Sequence, residues 1–99
     1  MAELICIIAE PQIDGSVNTF SFNGLTRPIF GGPNTYKIGR GNHTVEIRSG
    51  NGESWIVEAD VGSGEMLTVK LALSGKDISD VMYKVGPTPF GMGFGAMSL

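Results

Sequence analysis

Glycine and proline cut this chain into pieces too short for a helix of ordinary length. Fifteen glycines and five prolines stand among its 99 residues. They separate runs that alternate apolar and polar side chains at intervals of about ten residues, the spacing of short strands joined by tight turns. Glycine costs backbone entropy inside an element, and proline removes a main-chain donor; both are tolerated where the chain reverses. No segment of helical length is amphipathic, and no strand-like run alternates with a helix, which excludes Rossmann and α/β-barrel folds. The pattern predicts an all-β protein, an antiparallel β-sandwich of about seven short strands, followed by a glycine-rich C-terminal tail.

The runs themselves assign the faces. ELICIIA, residues 3–9, is apolar on both sides, as expected of a strand that is central in a sheet or covered on both faces. EPQIDGS turns the chain at Pro11 and Asp14-Gly15. VNTFSFNG puts Phe20 and Phe22 on one face and Thr19, Ser21 and Asn23 on the other. Asn23-Gly24 predicts a tight hairpin, because a type I′ turn needs positive φ at both central residues. LTRPIF is the return strand, and Pro28 makes it an edge or interrupted strand. GGPN breaks the chain before a short strand, TYKI, and GRGN turns it again.

HTVEIRS then directs His43, Val45 and Ile47 inward and Thr44, Glu46 and Arg48 outward. SWIVEADV does the same with Trp55, Val57, Ala59 and Val61, and MLTVKLAL with Leu67, Val69, Leu71 and Leu73, leaving Thr68 and Lys70 outside. DVMYKV reads as a last strand or a single helical turn.

The division expected is a sandwich domain over residues 1–85 and a tail over 86–99. The tail, GPTPFGMGFGAMSL, has no charged side chain, yet Phe90, Met92, Phe94, Met97 and Leu99 are apolar. Such a segment packs on its own domain or meets another chain. Elsewhere the seven basic residues are scattered and the net charge is −3, so no basic stripe marks a nucleic-acid or anionic-membrane surface. The single cysteine, Cys6, forbids an intramolecular disulfide and a thiolate zinc site, and its apolar neighbours predict a buried thiol. The N-terminal apolar run ends at Glu10-Pro11, too short for a signal peptide or a membrane span. With Met1 as the natural start the expected location is the cytoplasm; with an upstream segment removed it is the cell envelope or beyond.

No catalytic or cofactor motif emerges. GMGFGA has alternating glycines, but no helix is expected after it to hold a pyrophosphate. GSGEML lacks the lysine and hydroxyl of a phosphate loop. His43 belongs by parity to the apolar face, its neighbour Glu46 points the other way, and no second histidine or cysteine completes a metal set. The acids are dispersed, without a calcium-loop cluster. No cofactor is expected, and the protein is expected not to be an enzyme. Of the aromatics, Tyr36 and Trp55 are the ones that could stack on a sugar or anchor a partner, although alternation assigns Trp55 to the core.

The stretch IDGSVNTFSFNGLTRPIFGGPNTYKIGRGNHTVEIRS, with GEMLTVKLAL after it, resembles the PEGA-type β-sandwich modules, small domains of the prealbumin-like or carbohydrate-binding-like kind. Gly41-Asn42-His43-Thr44-Val45-Glu46-Ile47 matches their glycine-led strand, and Gly64 through Leu73 their closing strand. The resemblance covers roughly residues 13–73; the P-E-G-A tetrapeptide itself is absent, and EPQIDGS stands near its expected place. It implies a non-catalytic surface or interaction domain and an inward His43. The function expected is therefore an interaction or scaffolding module that binds protein partners or self-associates through strand edges and the apolar tail, with Tyr36, Trp55, Phe90, Met92 and Phe94 as contact residues. The alternative is a carbohydrate-binding module using an exposed Tyr36 or Trp55.

Overall fold

The computed structural model describes residues 3–88. They form strands β1 (Glu3–Ala9), β2 (Thr19–Phe22), β3 (Leu25–Pro28), β4 (Gly32–Ile38), β5 (Gly41–Arg48), β6 (Ser54–Val61), β7 (Glu65–Ser74) and β8 (Asp77–Pro87), with no helix among them. Two four-stranded sheets pair in the orders β4-β1-β7-β8 and β3-β2-β5-β6. The predicted sandwich is thus present. The second sheet is antiparallel throughout, and in the first β1 and β7 run parallel, Ile5 beside Leu67 and Ile7 beside Val69. Parallel neighbours need a long connection, and here the entire second sheet lies between them in sequence.

The double-sided apolarity of β1 is accounted for by its place between β4 and β7. Its inward residues Ile5 and Ile7 meet Phe20, Val45, Ile47, Val57, Leu67 and Val69 in one core, all at 0–2% exposure. Each such side chain contributes roughly 1.5–3 kcal/mol by leaving water. The hairpin at Asn23-Gly24 forms as its residues demand, with φ of 51° and 76° and Phe22 opposite Leu25.

Two buried asparagines tie the loops to this core. Asn18, fully buried, donates to the Asp14 and Lys76 carbonyls at 2.9 and 3.1 Å and accepts the Gly50 N–H at 2.9 Å. One side chain thereby joins three connections at one end of the sandwich. Asn34 donates to Ile7 O at 2.9 Å and Phe30 O at 2.8 Å and accepts the Phe30 N–H at 3.0 Å. Through it β4 begins at Gly32, earlier than the GGPN break predicts. Pro33 is accommodated because β4 is an edge strand, where a missing donor costs least.

At the C-terminal end DVMYKV is strand, part of β8. The ladder continues past Val85, with Gly86 opposite Met66 and Pro87 opposite Glu65. Thr88 then donates its N–H to Gly64 O at 2.9 Å. The expected boundary at residue 85 falls inside this strand.

Candidate functional site

β8 carries two neighbouring exposed large side chains, Met82 and Tyr83. As the last strand of its sheet it has one neighbour, β7, and among the described residues nothing pairs with its far side. Alternation sends Met82 and Lys84 to the outer face, beside Lys70 and Thr68 of β7, while Tyr83 turns toward the second sheet opposite Val69. Met82 is 53% exposed and Tyr83 52%. Together with Thr68, Lys70 and Lys84 they line a cleft of about 260 Å³. With two lysines, a threonine hydroxyl, Met82 and Tyr83 it offers contact area and charge, and no carboxylate or imidazole lines it.

The aromatic residues singled out from sequence are placed differently. Tyr36 points inward from β4 and is half-buried. Its ring lies 5.4 Å from Phe20 and 5.8 Å from Phe22, both tilted, with the Arg27 guanidinium 6.0 Å over it. Trp55 stands on β6 opposite Ile47, half-buried and packed against the core. The structure does not bring the two together in one surface. Phe90, Met92 and Phe94 lie outside the described residues.

His43 sits at the edge of the core face, half-buried, its Nε2 in hydrogen-bond contact with Gly39 O in the preceding turn. That bond fixes the ring across the β4–β5 connection. Cys6 faces outward from β1 yet is fully buried, and Thr35 donates to its sulfur at 3.6 Å. Burial pushes the thiol above its usual range, an effect the Thr35 hydroxyl partly offsets. Thr68, outward by parity, is also buried, standing between Cys6 and Lys84 in the ladder. Among the described residues no three His, Cys, Asp or Glu side chains gather where a metal ion could bind, and no helix is long and apolar enough to cross a membrane.

Met82, Tyr83, Lys70 and Lys84 were not distinguished by sequence reasoning. Their prominence comes from the strand order, which places β8 outermost; alternation assigns faces but is blind to which strand ends a sheet. Comparison with protein-family models, with curated proteins and with solved structures finds no match.

Proposed function

We propose that this chain is a non-catalytic interaction module, a rigid β-sandwich that binds a protein partner or a further copy of itself by adding a strand at an open sheet edge. The observation that carries the reading is β8, a long edge strand whose central residues Met82 and Tyr83 are both half exposed. An open edge offers main-chain donors and acceptors in register, and neighbouring apolar side chains add specificity. The resemblance to PEGA-type modules points the same way. The uncharged apolar sequence of residues 86–99 makes the tail a second contact segment.

A sugar-stacking reading needs an open ring face. Arg27 already stands over Tyr36, and Trp55 packs on the core; the strand-edge reading therefore takes precedence.

The test is affinity capture with the full chain and with a Met82→Lys/Tyr83→Lys variant. Both positions are exposed, so the variant should melt within about 1 kcal/mol of the parent, as surface changes do. Recovery of a bound protein, or of a second tagged copy, should be lost in the variant. Equal recovery by both proteins would overturn the reading, and a sugar that shifts Trp55 emission in both would favour glycan binding.

A further inference from the structure

The four sheet edges among the described residues are not equivalent. β3 is four residues long and ends in Pro28. β4 opens on Gly32-Pro33 and carries Lys37 as its sole charge. β6 presents Glu58 and Asp60 on one face and carries no cation, so no register of a second β6 sets unlike charges together. β8 has none of these obstructions over Asp80–Gly86, where its ladder against β7 is regular. Asp80 and Lys84 share its outer face and lie equidistant from Met82, a self-complementary arrangement that no other edge has.

Deepening the interaction reading on which it rests, we infer that β8 pairs antiparallel with β8 of a second copy, centred on Met82, so that one sheet runs through both molecules. In this register Asp80 faces Lys84 of the second copy and the reverse, Met82 faces its counterpart, and Val81 faces Tyr83. The Asp80–Lys84 and Val81–Tyr83 contacts occur twice about a two-fold axis that passes at Met82, and the contact closes on itself. Other registers lose the ion pairs: centring on Tyr83 sets Lys84 against Met82, and centring on Lys84 sets like charges together. Directly opposed unlike charges favour a strand pair, and like charges oppose it. In the single chain the Asp80 carboxylate turns back to accept the Val81 N–H at 2.9 Å, beside the register shift that leaves Ser79 out of the ladder. Pairing exchanges that contact for the Lys84 ammonium of the second copy. The exposed faces of Met82 and Tyr83 are covered in the same step.

The experiment uses light scattering and sedimentation of the full chain over a concentration series, with Asp80→Lys, Lys84→Asp and an equimolar mixture of the two. The parent is expected to approach twice the 10.5 kDa chain mass. Each single variant sets two like-charged pairs across the axis and should weaken the dimer at least about tenfold. In the mixture, the lysine introduced by Asp80→Lys faces the aspartate introduced by Lys84→Asp, and the unchanged Lys84 and Asp80 face each other at the opposite end. Both pairs are again unlike, so the heterodimer should return. Circular dichroism melts confirm that each variant is folded before its mass is read. A parent that stays monomeric throughout overturns self-pairing, yet leaves the interaction reading to the capture experiment. Dimers of undiminished strength in both single variants, or a mixture that stays monomeric while the parent dimerises, overturn the β8 register.

Discussion

Single side chains hold the ends of this sandwich together, and their weight is uneven. Asn18 spends its amide on three loops, so Asn18→Ala removes three hydrogen bonds, those to the Asp14 and Lys76 carbonyls and the one from the Gly50 N–H. Its expected cost is about 2–4 kcal/mol, from three lost hydrogen bonds at about 0.5–1.5 kcal/mol each, read as a lowered urea midpoint. Asn18 was not foreseen as a hub, because the acceptors it joins are far apart in sequence and nothing local marks them. Cys6 was legible, since its flanking apolar residues already predicted burial. Its thiol should react with an aromatic disulfide reagent only as the chain unfolds, at a rate that follows the unfolding equilibrium. Asp14 supplies the pH dependence. The Ser16 hydroxyl and N–H, both bonded to its carboxylate, hold its carboxyl below the ordinary value. A depressed carboxyl stabilises the fold above its unfolded pKa, and the contribution is lost as pH falls through the folded value. Asp14→Asn should therefore show a smaller loss of melting temperature on acidification than the parent.

At the scale of elements, alternation was enough to sort most side chains. Val45 and Ile47 on β5, Val57 and Val61 on β6, and Leu67, Val69 and Leu71 on β7 are all buried where period-two patterning sends them. Val45→Asp should abolish a cooperative melt, since it buries an unpaired charge where the side chain now has 0% exposure. A native-like melt of that variant would refute the face assignment. Turn chemistry was equally legible at Asn23-Gly24, where local residues alone dictate the conformation. The start of β4 was less so, because GGPN resembles a break and its strand is held by Asn34 from a distance. The glycine there has a steric role: a Cβ at Gly31 would come within 2.6 Å of Pro11 Cα, a backbone atom that cannot step aside cheaply. Gly31→Ala should destabilise by about 1–3 kcal/mol, the usual cost of overpacking, as measured by denaturant unfolding.

The whole molecule has properties that no run of residues announces. The parallel pairing of β1 with β7 and the outermost place of β8 are consequences of strand order, a non-local choice made by the packing of both sheets. The candidate site therefore escaped the sequence, although its raw materials, the apolar Met82-Tyr83 pair and the flanking Asp80 and Lys84, are all in one short run. Tyr36, picked out as an aromatic of interest, is absorbed into contacts with Phe20, Phe22 and Arg27. What remains outward is an edge, and the central claim is that this edge is where a second chain joins. The most direct measurement is residue-resolved hydrogen–deuterium exchange of the full chain at low and high protein concentration. Main-chain amides of β8 over Asp80–Lys84 should gain protection as concentration rises, while those of the β3, β4 and β6 edges do not change. Protection that appears on another edge, or none that depends on concentration, would contradict the account.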